Sequence, residues 1–116
     1  MSENKKTVEK YLDGFNKLDH KQILSCLTDA VEWEIPGVFH VHGAEAFDKE
    51  IESNAFEGKP VITVTRLIEE NDVVIAEGTV RANKKGTGVL DIAFCDVFLM
   101  ENGLIRKLTS YLMGAK

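Results

Sequence analysis

Residues 89–100 are Val-Leu-Asp-Ile-Ala-Phe-Cys-Asp-Val-Phe-Leu-Met, a run apolar enough for a β-strand that is covered on both faces. Within this run Asp96 is flanked, two residues away on each side, by Phe94 and Phe98. An ionised carboxylate without a partner in such surroundings loses several kcal/mol of hydration. The run therefore predicts a buried strand in which Asp96 is paired, protonated or facing a ligand cavity.

A hairpin connects this run to the last predicted strand, and its turn at residues 101–103 allows two registers. A two-residue turn places Asp96 opposite Thr109, whereas a three-residue turn with a left-handed Gly103 places Asp96 beside Leu108. We prefer the second register, because it produces the cleaner apolar face. The side chains collected on that face are Ile92, Phe94, Asp96, Phe98, Leu108, Ser110 and Leu112.

The rest of the chain divides into a helical first half and an extended second half. Apolar residues at helical spacing place Tyr11 on the inward side of the first helix, and residues 19–22 have the pattern of a capping box that opens a second helix. Alternation of apolar and polar residues predicts the strands. The predicted helices cover 8–18, 19 to 28–29 and 44 to about 56, and the predicted strands cover 31–35, 39–42, 61–68, 73–82, 89–100 and 104–113.

Three helices followed by an antiparallel meander predict an α+β fold, in which a curved, mainly antiparallel sheet wraps around the helices. The length of 116 residues corresponds to one domain. A net charge of −5 argues against nucleic acid as a partner. The sequence shows no apolar leader and no run of bilayer length, so we expect a cytoplasmic protein without membrane contact. Cys26 and Cys95 both fall at apolar positions, which predicts two buried free thiols.

Three acid–base residues are candidates for a site: Tyr11 on the first helix, Glu34 on the first strand and Asp96 on the long strand. Each also has an ordinary structural explanation, since Tyr11 fits a core aromatic and Glu34 fits a solvent-facing position. Asp96 is the hardest of the three to explain without a function. Apolar surroundings raise the pKa of a carboxyl group and keep its proton bound.

A metal site is a further candidate, because alternate residues of a strand face the same side and His40 and His42 are two apart. Glu45 is the nearest candidate for a third ligand. The remaining histidine, His20, belongs to the second helix and not to a later strand. We therefore favour two half-exposed histidines without a metal, and we expect no cofactor.

Motifs along the whole chain carry a resemblance to a known group of proteins. They are residues 8–16 of the first helix, residues 27–34, Gly43 before the third helix, and residues 96–98 with 101–105. On these motifs the chain resembles the nuclear transport factor 2-like superfamily, specifically its SnoaL-like and ketosteroid-isomerase-like branches. The resemblance implies a cone-shaped fold with an internal pocket, whereas the function varies widely within the superfamily.

Matched to the ketosteroid-isomerase pattern, Glu34 falls at the position of the base that moves a proton beside a carbonyl. Tyr11 and a protonated Asp96 fall where two neutral donors hold the developing oxyanion. The chain departs from that pattern, because the base is Glu rather than Asp and Ile51 replaces a supporting tyrosine of some members. Limonene-epoxide hydrolases and SnoaL-type cyclases fit less well. The positions of their acidic and basic residues are occupied here by Gly78, Val80 and Ser110.

The leading hypothesis is therefore a small-molecule pocket protein that shifts a proton on a small apolar carbonyl compound. The alternatives are a non-catalytic binder of a small hydrophobic ligand and a dimeric protein-association module. A second apolar sheet face, which includes Cys95 and Tyr111, predicts a homodimer through the outer side of the sheet. The residues expected to line the pocket beside Tyr11, Glu34 and Asp96 are Trp33, His40, Phe94, Phe98, Leu108 and Ser110.

Overall fold

The computed structural model describes residues 2–52 and 56–114 and shows a mixed α+β fold, as predicted. Two helices, two strands and a third helix make up the first half, and four long strands follow. The elements are α1 (Glu3–Lys17), α2 (His20–Leu24), β1 (Leu27–Ile35), β2 (Phe39–His42), α3 (Ala44–Glu50), β3 (Phe56–Glu70), β4 (Val73–Lys84), β5 (Gly88–Glu101) and β6 (Leu104–Gly114).

The strands form one curled, unclosed sheet in the order β2-β1-β6-β5-β4-β3. The β1–β6 pair is parallel, and the other neighbouring pairs are antiparallel. Helix α1 packs against β3 and β6, and helix α3 packs against β1. The predicted curved, mainly antiparallel sheet around three helices is thus confirmed, with its core between the helices and the inner sheet face.

Helix α1 begins at a side-chain cap, because the Ser2 Oγ accepts a hydrogen bond from the backbone N–H of Lys5. It ends at Lys17, and the left-handed φ of 52° at the following residue, Leu18, turns the chain toward α2. The two helices touch closely at Gly14, where an added Cβ would lie 2.8 Å from the Ile23 Cγ1. In the described part of the chain, no helix has the length and apolar character needed to cross a bilayer.

Two helices end earlier than the sequence predicts. Helix α2 ends at Leu24 and not at residues 28–29, because the chain already pairs with β6 there: the Ile105 N–H donates to the Cys26 carbonyl at 2.8 Å. Helix α3 ends at Glu50, and Phe56 begins β3, so the prediction of a helix to about residue 56 is wrong. The helical position predicted for Ala55 lies outside the described residues.

The final hairpin has the two-residue turn of the first predicted register, with Glu101 opposite Leu104, but the partner of Asp96 differs from both predictions. Residues 102–103 form a two-residue turn with left-handed φ values of 51° and 78°, and a β-bulge between Leu99 and Met100 then shifts the pairing by one residue. As a result Asp96 lies opposite Ser110. The prediction that Asp96 and Ser110 share one face of the sheet is nevertheless correct. The observed pairing differs from the preferred register by two positions on β6, and a shift of two positions leaves each side chain on the same face.

The two cysteines differ in their surroundings. Cys26 is buried in the core, as predicted, whereas Cys95 is only partly buried. The reason is the alternation of β5, which turns Phe94 and Asp96 inward and Cys95 toward the outer face of the sheet. Both thiols are free.

Candidate ligand-binding site

A cavity of about 740 Å³ lies between the helices and the inner face of the sheet. Helix α1 and all six strands contribute to its wall, and most of the contributing side chains are apolar. The exposed Val38 and Phe56 lie at its rim. A cavity of this size and character is typical of sites for small organic ligands.

One wall of the cavity is an aromatic cluster built around Trp33. The Trp33 ring stacks on Phe47 with centroids 4.4 Å apart, and it makes edge contacts with Phe15 and Phe39 at 5.9 Å and 5.1 Å. Its indole N–H donates to the Ser110 Oγ at 3.1 Å. Because every buried indole needs such a partner, this bond fixes the Trp33 ring and the Ser110 hydroxyl together.

Asp96 is the acidic side chain of the inner wall, on β5, and only 8% of it is exposed. Burial raises the pKa of its carboxyl group to about 7, while the hydroxyl of Ser110 lowers the pKa to a smaller extent. Near neutral pH, therefore, the protonated and ionised forms of Asp96 are both populated. The protonated form offers an O–H donor at the cavity wall.

Tyr11 lines the same cavity from helix α1 and is also buried. Burial raises the pKa of its hydroxyl group well above the ordinary value, and the nearby Asp96 raises this pKa further. The phenol therefore keeps its proton across the physiological pH range. Edge contacts with Phe98 and Phe15, at centroid distances of 5.5 Å and 5.1 Å, hold the ring in place.

Glu34 and His40 do not reach this cavity. Because Trp33 and Ile35 face inward on β1, the intervening Glu34 faces the outer side of the sheet, opposite His40 of β2. The structure thus brings together Tyr11 and Asp96 from the predicted acid–base group but leaves Glu34 on the other face. The correction has a simple physical cause, since adjacent residues of a strand point to opposite sides.

The remaining predicted pocket residues divide into two groups. Trp33, Phe94 and Ser110 line the cavity. Phe98 and Leu108 are instead fully buried in the core, behind the cavity wall, where they support its shape rather than contact its interior. Both groups lie on the inner face, so alternation identified the correct side of the sheet but not the depth of each side chain.

Several residues of the cavity were not among the predicted site residues. Phe15 lies four residues after Tyr11, which is one helical turn on the same face, and Phe39 alternates with His40 and His42 along its strand. The sequence therefore contained a signal for both. The rim residues Glu52, Glu57 and Lys59 carry no such pattern, since their position depends on where β3 passes the end of α3.

Comparisons with known proteins agree on the fold. The family model described as SnoaL-like domain matches residues 8–108. A search of curated proteins returned no match. An NTF2-like protein of unknown function from Burkholderia pseudomallei superposes with a TM-score of 0.87 at 21% identity, over 97% of this chain and 92% of that one.

Two other similar structures carry functional names. A putative ketosteroid isomerase from Kribbella flavida has a TM-score of 0.74 at 19% identity, over 98% of this chain and 80% of that one. An M. tuberculosis LEH-like epoxide hydrolase has a TM-score of 0.83 at 18% identity, over 96% and 83%. At these identities the similarity establishes the shared fold alone.

Proposed function

The chain belongs to the SnoaL-like domain family, and from that premise we propose that its cavity binds one small, mainly apolar molecule. Because this fold hosts unrelated functions, the proposal depends on the site and not on the family. The observation that carries it is the position of Asp96, a buried carboxyl group on the wall of a largely apolar cavity of about 740 Å³. Burial of such a group costs stability unless it is hydrogen-bonded, and the oxygen of a ligand would accept a hydrogen bond from its protonated form.

The chemistry of the wall supports a ligand with one oxygen acceptor, such as a ketone or a phenol. A protonated Asp96 and the phenol of Tyr11 are both neutral donors at neutral pH, and both line the cavity. Two neutral donors strengthen binding of an oxygen that carries partial negative charge. The aromatic cluster around Trp33 supplies a flat apolar surface for the rest of the molecule.

The charges at the rim support an uncharged ligand. Glu50, Glu52 and Glu57 contribute carboxylates, and Lys59 is the cation among the described residues that line the cavity. This excess of negative charge repels an anion during its approach. A neutral ketone or phenol avoids both that repulsion and the cost of burying a charge.

Binding of 2-naphthol, followed by its fluorescence, tests the proposal. We expect Asp96→Leu, which removes the donor and keeps the branched shape of the side chain, to weaken binding by about tenfold to a hundredfold through the lost hydrogen bond. Asp91→Leu is the matched control, because Asp91 lies on the same strand but is exposed and paired with Arg81. Unchanged affinity in Asp96→Leu contradicts the proposal, as does an equal loss in the control.

A catalytic form of the same function is the second candidate, favoured by the pKa of about 7 at Asp96. A carboxyl group with this pKa exchanges a proton readily at neutral pH, as proton transfer beside a carbonyl requires. In this form Asp96, rather than Glu34, moves the proton. Conversion of a β,γ-unsaturated ketone to its conjugated isomer, followed by ultraviolet absorption, would then be lost in Asp96→Asn and retained in Glu34→Gln. Loss of activity in Glu34→Gln would instead support Glu34 as the base, the role that the resemblance implied.

The cavity of about 740 Å³ weighs against the third alternative, a protein-association module, because such a module has no need of an open interior. Self-association is compatible with either pocket function. We propose a homodimer through the outer faces of β5 and β6, where Ala93 and Tyr111 are exposed and Cys95 and Val97 are partly buried. The support is the apolar character of this patch, which an isolated domain would leave in water.

A further inference from the structure

Three side chains with metal-binding atoms meet on the outer face of the sheet, outside the cavity. They are Glu32 from β1 and His40 and His42 from the edge strand β2. Glu32 lies opposite His42 in the antiparallel pair, and His40 lies two residues earlier on the same side. One ligand atom from each of the three lies within 4.8 Å of those of the other two.

The contacts among these residues are close to those of a coordination site. The His40 Nε2 lies 3.1 Å from the Glu32 Oε2, and the two imidazole rings have centroids 4.7 Å apart. Around a tetrahedral zinc ion, with bonds near 2.0–2.2 Å, ligand atoms are about 3.3 Å from one another. The ligand atoms of the three side chains therefore need to move only a short way toward one another. The exposed histidine side chains have room to do so by rotating.

We propose that Glu32, His40 and His42 bind one Zn²⁺ ion. Two imidazoles and a carboxylate suit zinc, whereas calcium and magnesium prefer all-oxygen ligand sets. Three protein ligands at a solvent-exposed position leave a fourth place for water. The sequence alone favoured no metal, because the remaining histidine, His20, is not on a later strand and Glu45 was the nearest candidate for a third ligand. The tertiary structure supplies Glu32 instead, through the pairing of β1 with β2.

The position of the site indicates what the ion would do. β2 is an edge strand of four residues, and such a short edge is held by few ladder hydrogen bonds. An ion shared between Glu32 and the two histidines would tie this edge to β1. Trp33 follows Glu32 and faces the cavity. The bound ion would therefore also stabilise β1, the strand that carries the central residue of the aromatic cluster.

Titration of chelator-treated full-length protein with ZnCl₂ by isothermal calorimetry tests the proposal. We expect one saturable site per chain. His40→Asn, His42→Asn and Glu32→Gln should each weaken zinc binding by at least about tenfold, the effect expected even for a group that only supports a metal ligand. Because all three side chains are at least partly exposed, these variants should fold, and circular dichroism of the metal-free proteins checks this.

His20→Asn is the matched control, since His20 is on α2, is not part of the cluster, and its ring nitrogens already contact Asp48 and Glu52. We expect this variant to bind zinc as the wild type does. A Co²⁺-loaded sample gives an independent readout, because its visible absorption should change when either His40 or His42 is replaced. The proposal is overturned by the absence of saturable binding, by one ion per two chains, or by equal affinity in the wild type and the His40→Asn and His42→Asn variants.

Discussion

At the scale of single residues, Asp96 is where function and stability conflict. Its pKa of about 7, against an ordinary value of 3.8, means that the folded state binds its proton more tightly than the unfolded state does. The difference of about three pKa units corresponds to roughly 4 kcal/mol when the group is ionised. We infer that this cost is tolerated because the carboxyl group serves a ligand, as in other sites where strained groups carry the function.

The pH dependence of stability follows from the direction of this shift. Because folding raises the pKa of Asp96, the contribution of this group to the free energy of unfolding is most favourable below about pH 4. The contribution becomes less favourable as pH rises and levels off above about pH 7. Asp96→Asn removes that dependence. The measurement is the free energy of unfolding in urea. From pH 5 to pH 8.5, this free energy should rise by about 2–3 kcal/mol in Asp96→Asn relative to the wild type.

Asp91→Asn is the control for this pH series. Its exposed carboxylate is hydrogen-bonded to Arg81, which lowers the pKa of Asp91, so the group stays ionised throughout the range. The unfolding free energies of this variant and the wild type should therefore run parallel. If those of Asp96→Asn also run parallel to the wild type, Asp96 is not buried in the way described.

At the scale of elements, local distortions of the sheet determine which residues meet. The bulge between Leu99 and Met100 places Asp96 opposite Ser110, and a second irregularity between Val64 and Arg66 bends β3 across β4. At that bend β3 comes so close to Gly78 that an added Cβ would lie 1.9 Å from the Thr63 carbonyl oxygen. The curvature that encloses the cavity therefore requires a residue without a side chain.

Gly78→Ala tests this close approach. The new methyl group cannot fit without moving the backbone of β3 or the nearby Phe94 ring, so we expect a loss of about 3 kcal/mol, at the upper end of overpacking effects. Thr79→Ala is the control, since Thr79 is the exposed neighbour on the same strand. The measurement is the free energy of unfolding in urea, and equal stability of Gly78→Ala and wild type would refute the packing argument.

At the scale of the whole molecule, one curled sheet serves two surfaces. Its inner face encloses the cavity together with α1 and α3, and its outer face presents apolar side chains on β5 and β6. Tyr111 is 52% exposed there, although neighbouring Ser110 is buried on the other face. The proposed homodimer would cover this outer patch without closing the rim of the cavity, which is on the opposite side.

Sedimentation equilibrium tests the homodimer. We expect the wild type to sediment as a dimer at micromolar concentrations and Ala93→Glu to sediment as a monomer, because a buried unpaired charge at the interface is costly. Val38→Glu places the same charge at an exposed apolar residue near the cavity rim and should leave the dimer intact. A monomeric wild type contradicts the proposal.

The sequence by itself determined the α+β class, the order of helices and strands, and the inward direction of Tyr11 on its helix and of Asp96 on its strand. These features follow from local periodicity, which neighbouring residues carry among themselves. The alternation around Trp33 also contained the outward direction of Glu34, although the resemblance to isomerases pointed the other way. Only the tertiary structure decided the pairing of Asp96 with Ser110, the size of the cavity and the meeting of Glu32 with His40 and His42. Each of these depends on bulges, chain crossings and burial that arise between segments distant in sequence, where no local pattern records the outcome.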